Sequence, residues 1–346
     1  MQAGLGQLWS MLNSQQIIVY MPMLEKLKFP ANAMMITKEL IKVASFDLIP
    51  TEIIDELLWY FPEGDAFSLN FETAGVESTL FLANIGLIFY MIAINLFIVF
   101  LHIFFFMTRN SCNCAQKYRK KFGDYLYFNG SIRFFMEVYF DVALLSALNL
   151  EMVDWDTLFP SEKISNAMSV AFLVIVSLVP LVFALLVCWD TKRWREEKFT
   201  EKFGAILEGT SEKMQEQGRR MLFFVPLIFF MKRVSFIISV LLLKELIWGQ
   251  LAIQTFISLG MCMFLQWYRP LESEFANNIE TFNDITVLVL TYFLFCFTDF
   301  VPDAEMKSKM GLYYICIGLG NMATHMFIMF GSSFIACRLS CKKKKH

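Results

Sequence analysis

Two carboxylates four residues apart, Glu137 and Asp141 in "RFFMEVYFDVALL", sit inside a largely apolar stretch. A helix there projects both from one face. A carboxylate at bilayer depth costs roughly 3 kcal/mol on insertion scales, so it calls for a cationic partner or a water-filled path. The adjacent Lys232 and Arg233 of "FFMKRVSFIISVLLL" supply candidate partners. Three readings stay open: an ion pair inside a helix bundle, a path for an ion or a proton, or interfacial anchoring with the membrane starting near Lys232.

A second acidic group lies in "FLFCFTDFVPDAEMKSKMGLYY", where five charges fall within the eleven residues 299–309 between two apolar runs. In an oligomer, Asp299, Asp303 and Glu305 could form an acidic outer vestibule that attracts cations. A re-entrant helix with a filter needs roughly two dozen residues at the helical rise. The short segment and Pro302 favour a plain acidic turn.

Of the eight cysteines, Cys188, Cys262, Cys296 and Cys316 fall in apolar stretches, where a thiol behaves as a small hydrophobe. The pairs Cys112, Cys114 and Cys337, Cys341 lie beside basic residues next to helix ends, the setting of membrane-proximal acylation or of unmodified reduced thiols. His102, His325 and His346 are scattered, and no spacing fits a zinc site. No catalytic or phosphate-binding motif is present, so neither an enzyme nor a cofactor is expected. "GLGNM", residues 318–322, reads as close helix packing by small residues.

The elements that must position these groups follow from composition. The chain of 346 residues is 57% hydrophobic and 18% charged, with 38 Phe and a mean hydropathy of +0.52. Soluble domains are about 25% charged. The expected fold is therefore an all-α polytopic membrane bundle. Windows of about 20 apolar residues predict seven spans, at 79–107, 132–150, 167–189, 221–243, 249–268, 282–299 and 310–336. Lys and Arg then set orientation. The first inter-span loop is basic, eight basic residues lie from Lys192 to Arg220, and the tail ends in Lys342 to Lys345. These share one side, expected to be cytoplasmic and to meet anionic lipid headgroups rather than nucleic acid. The segment at 269–281, with three Glu, is assigned to that side by span count alone. The lone glycosylation triplet, Asn129-Gly130-Ser131, falls in the basic loop and is expected to stay unmodified.

Residues 1–78 form the expected extracytoplasmic or interfacial segment, residues 79–336 the membrane domain and residues 337–346 a basic cytoplasmic tail. The first segment carries ten acidic residues and four Lys. Its opening stretch has Gln7, Asn13, Ser14, Gln15 and Gln16 in the middle, many amides for a lipid-facing helix. It reads as an interfacial helix or as one packed against other helices. Pro30, Pro50 and Pro62 then separate two short amphipathic helices, the second with Thr51 as N-cap. No secretory signal pattern opens the sequence; the segment is expected to cross through the first span or to follow an ectodomain in a longer protein.

"GQLWSMLNSQQIIVYMPML", "FPAN", "ASFDLIP", "RFFMEVYFDVALLSALNL", "KFGAILEG", "FFMKRVSFIISVLLL" and "QWYRPLE" precede "NNIETFNDITVLVLTYFLFCFTDFVPD" in this order. Together they resemble the C-terminal multi-span membrane region of very large, cysteine-rich ciliate surface proteins, and more distantly the TRP-like and polycystin-related group. The resemblance covers residues 5 to 336, and the cysteine-rich ectodomain has no counterpart here. It implies an α-helical multi-pass membrane region, usually carried behind a large ectodomain; counting the last six spans gives the layout of a TRP-type subunit, and a homo-oligomer or larger complex in the surface membrane is expected. The expected function is a TRP-like, channel-related membrane domain; the alternative is a non-conducting anchor or assembly subunit. A voltage sensor needs several Arg at three-residue spacing, which helix 221–243 lacks. "CWDTKRW" after the third span and the missing N-P-x-x-Y in the seventh argue against a G-protein-coupled receptor.

Overall fold

In a computed structural model of the chain, residues 2–44, 66–107, 130–157, 159–188 and 219–343 are described. Among them the regular structure is helical: α1 Gln2–Tyr20, α2 Ala31–Ala44, α3 Leu69–Ala74, α4 Phe81–Asn84, α5 Leu87–Met107, α6 Ser131–Glu151, α7 Pro160–Cys188, α8 Arg219–Leu242, α9 Ile247–Tyr268, α10 Glu274–Cys296 and α11 Ala304–Lys343.

Five of these helices are long and apolar enough to cross a membrane, in the segments Pro160–Cys188, Phe224–Leu242, Ile247–Tyr268, Glu274–Cys296 and Ala304–Gly331, with a shorter apolar helix at Leu87–Leu101. They mark the chain as a membrane protein. All seven sequence-predicted spans fall on helices, but the first divides: α4 ends at Asn84, and Gly86 turns the chain at φ 47° before α5 begins. The sixth begins earlier than expected, because Ser273 caps α10 by accepting a hydrogen bond from the Ala276 amide at 3.0 Å. The fifth and sixth spans are therefore joined by a short turn, 269–273. α11 continues to Lys343, about 60 Å at 1.5 Å per residue, far beyond a bilayer's hydrocarbon.

α6 stands apart from those five through its charges, Arg133, Glu137, Asp141 and Glu151, and its packing shows why they are tolerated. Val138 to Leu145 are buried on every side of the helix, so no face of this stretch needs to satisfy lipid. α7 is the opposite case: only 17% of its most apolar window is buried, and Val174, Leu178, Leu181 and Leu185 point outward.

Hydrogen bonds fix the directions. α1 runs alongside α6, with Gln16 at Glu137 and Tyr20 at Asp141. It runs against α11, where the Tyr314 hydroxyl donates to Ile18 O at 2.9 Å and Gln15 Nε2 to Asn321 Oδ1 at 3.0 Å. Of the two sequence readings of α1, packing among other helices is the one adopted. Its residues Ser14 to Tyr20 are buried, and it touches α2, α10 and α11.

One end of the bundle collects the end of α1, α2 to α4, the α6–α7 and α8–α9 connections and the α10–α11 turn. The other end collects the starts of α1, α6, α8 and α10, which flank the basic segments. At the first end the Lys28 amide donates to Phe297 O at 2.8 Å, Asn32 Nδ2 donates to Ser308 O at 2.9 Å, and Pro30 presses on α11 at Gly311. A side chain at Gly311 would start 2.4 Å from Pro30 Cγ, so glycine is what lets the two backbones approach.

Candidate functional site: a buried polar interior

Glu137 and Asp141 share one face of α6, as their spacing requires, and that face meets α1 and α8 with 6% and 1% exposure. Tyr20 donates its hydroxyl to Asp141 Oδ1. Gln16 Nε2 donates to the Glu137 carbonyl at 3.0 Å and to Asp141 Oδ2 at 3.4 Å. Arg233 comes in from α8, 2% exposed, its guanidinium 3.5 Å above the Phe229 ring. It donates through Nη2 to Asn13 Oδ1 at 2.7 Å and Gln16 Oε1 at 3.4 Å, and through Nη1 to Phe229 O at 3.3 Å. Gln16 therefore accepts from Arg233 and donates to Asp141. An ion pair inside the bundle was one of three sequence readings; the geometry places an amide between Arg233 and Asp141.

Lys232, the other candidate partner, points away from α6 and pairs with Asp284 of α10. Beside that pair a chain of amides crosses the bundle. Gln15 donates to Asn321, Asn321 Nδ2 donates to Asn283 Oδ1 at 3.0 Å, and His325 Nε2 lies 2.7 Å from the same oxygen. Asn283 Nδ2 reaches Glu280 Oε2 at 3.3 Å. Buried polar groups require partners, and here five helices supply them. Glu137 Oε2, Arg233 Nε, Gln15 Oε1 and His325 Nδ1 lack one among the described residues.

Between α1, α8, α9 and α10 lies a cavity of about 170 Å³, with Pro270 and Leu271 of the α9–α10 turn in its lining. Lys232 and Arg233 line it from α8, Glu280 and Asp284 from α10, and Asn13 and Ser14 from α1.

The outer acids are engaged within the chain. Asp299 pairs with Lys28, whose ammonium holds the carboxyl below its ordinary value of 3.8. Asp303 Oδ1 accepts from the Glu305 amide at 2.9 Å at the start of α11, and Glu305 pairs with Lys309 at 2.8 Å. The α10–α11 connection between Cys296 and Ala304 is a short turn. Cys112 and Cys114 lie outside the described residues, as do the side chains of Cys337 and Cys341. No group of three or more His, Cys, Asp or Glu among the described residues is arranged to hold a metal.

Sequence reading found Glu137, Asp141 and the basic pair because ionised groups stand out against apolar sequence. It noted the amides of α1 without a destination for them. Tyr20, Asn283, Asp284 and Asn321 were given no role, and His325 was read only as one of three scattered histidines; the four-residue spacing of Asn321 and His325 on one helix face was the available signal. Comparison with protein-family models, with curated proteins and with solved structures finds no match to this chain.

Proposed function

We propose that this chain is a TRP-like, channel-related membrane domain of a surface-membrane protein, with its basic end and the end of α11 in the cytoplasm. The observation supporting this is the charged interior. Asp141 and Arg233 are held between apolar helices by Asn13, Gln16 and Tyr20, with Glu137 buried beside them, and bilayer-depth ionisable groups are the usual marks of ion or proton paths. In this reading α6 to α11 are the six helices of the channel layout. Copies of the chain associate to complete a conduit, and the basic end meets anionic headgroups.

A second reading is a non-conducting anchor or assembly subunit of a surface complex. It is favoured by the engagement of Asp141, Asp299 and Asp303 inside one chain.

Cation flux into liposomes containing the purified chain separates the two. The conducting reading expects flux from wild type and its loss, at least tenfold, in Glu137→Gln and Asp141→Asn proteins that insert normally. Absence of flux from a folded wild-type oligomer leaves the anchor.

A further inference from the structure

The cavity between α1, α8, α9 and α10 is drawn out along the bundle. On α8 its lining runs from Val225 to Arg233, about 12 Å at the helical rise. Pro270 and Leu271 of the α9–α10 turn also line it, so it extends from the basic end to the depth of the buried charges. Its ionic groups are matched within the chain: Lys232 and Asp284 pair directly, and Glu280 accepts from Asn283 at 3.3 Å. The cavity therefore calls for no charged guest. What it lacks is hydrogen bonds.

Arg233 lines the cavity at 2% exposure, and its Nε–H has no partner among the described residues although both terminal nitrogens are engaged. An unpaired buried N–H costs free energy unless something accepts from it. Ser14, also in the lining, gives its hydroxyl proton to Met11 O at 2.9 Å and keeps its lone pairs. Water meets both needs, as acceptor at Arg233 and donor at Ser14. A volume of about 170 Å³ holds on the order of five molecules at about 30 Å³ each. A lipid tail would fill the apolar wall of Ile228, Met261 and Phe264 but leave the guanidinium N–H unpaired. Beyond Arg233, toward the acidic end, rings close the path. Phe140 meets Tyr20 edge to face at 5.1 Å and Phe236 at 5.4 Å between centroids, and none of the three is more than 5% exposed.

We propose that this cavity is a water-filled inlet, open to the basic face of the membrane and ending at Arg233. Gln16 joins the hydrated guanidinium to Asp141, so solvent reaches the charged interior from one side only. The inlet is independent of whether the chain conducts ions or serves as an anchor.

The test uses the full chain in nanodiscs, with hydroxyl radicals generated from water by a brief X-ray pulse and oxidation read residue by residue by mass spectrometry. Met261 lines the cavity, whereas Met263, two residues on in the same helix, is 63% exposed on the outward surface. A water-filled inlet oxidises Met261 at least fivefold faster than Met263, because the more exposed of the two faces lipid. Ile228→Trp and Val225→Phe each fill the cavity without removing a charge; a variant that keeps the wild-type melting temperature should bring Met261 down to the rate of Met263. Sidedness is read in sealed proteoliposomes sorted by orientation. Silver ion should block alkylation of the cysteine in Ile228→Cys protein when added to the basic face and leave it intact from the acidic face. Oxidation of Met261 no faster than that of Met263 means a cavity that is dry or filled by lipid, and overturns the proposal. Unaltered Met261 oxidation in a folded filled variant, or silver access from the acidic face, overturns it too. Neither measurement depends on ion flux, so its outcome is separate from that of the conducting reading.

Discussion

At the scale of single residues, some buried donors of the interior are matched to acceptors that the helices leave free. Pro180 sits inside α7 and has no amide to give to the carbonyl four residues earlier. That carbonyl belongs to Val176, and the Tyr139 hydroxyl of α6 donates to it at 3.1 Å. Removing the hydroxyl in Tyr139→Phe leaves a buried carbonyl unpaired, a cost of about 1–3 kcal/mol. The expected outcome is a lower melting temperature in detergent. Adding Pro180→Ala, which restores the amide, should recover part of the loss in a double-mutant cycle. Equal losses with and without the alanine would show that the hydroxyl acts elsewhere. Asn149 does similar service near the acidic end. Its Oδ1 accepts from the Phe81 amide at 3.0 Å and from Ser165 and Ser169 at 2.8 Å, which docks α4 on α6 and α7.

Elements carry the next level of consequence, and α1 is the informative one. Its parallel course with α6 and antiparallel course with α11 bring its start to the end where the basic segments attach. If α1 lies at bilayer depth, then an epitope placed just ahead of Gln2 and one inserted among residues 108–129 should be reachable from the same membrane face. Opposite accessibility would remove α1 from the set of crossing helices. The chain between α1 and α5 then folds over the acidic end, tied down by Lys26 to Glu245 and Lys28 to Asp299. Both carboxyls are held below their ordinary values, each chiefly by its lysine. A depressed carboxyl contributes stability that is present above its unfolded value, here 3.8 for Asp299 and 4.5 for Glu245. That contribution is lost as pH falls through the lower folded value. Protection of the Lys28 amide from hydrogen exchange should therefore fall when pH drops from about 6 to about 3, after correction for intrinsic exchange. Asp299→Asn should flatten that dependence, and an unchanged profile in the variant would assign it to other groups.

For the whole molecule, the outward surface is that of a protein solvated by lipid. Phe97, Phe100, Leu181, Leu185, Phe256 and Phe327 are all exposed, an apolar area that water does not tolerate. Trp248 and Trp267, both exposed, stand near the two ends of α9, about 28 Å apart at the helical rise. That spacing matches the hydrocarbon thickness and the interfacial preference of Trp. The chain should accordingly remain in the membrane pellet after alkaline carbonate washing and be released by detergent; release by carbonate would contradict membrane integration.

The sequence by itself determined the all-helical class, the approximate positions of the helices and the segregation of basic residues. Those properties rest on local composition: about 20 apolar residues make a span wherever it packs, and charges in loops need no tertiary partner. Glu137 and Asp141 were legible for the same reason, as ionised groups in apolar sequence. What α1 and α6 do was decided by tertiary structure. Hydropathy reports the surface that meets lipid, and these two helices bury their polar groups against protein, so their amides and acids look unfavourable until partners from α8, α10 and α11 arrive. The same holds for the charges. Sequence proximity cannot tell which carboxylate Lys232 meets, because Asp284 is 52 residues away in the chain and only the packing of α8 on α10 brings the two together, leaving Arg233 to the amides of α1.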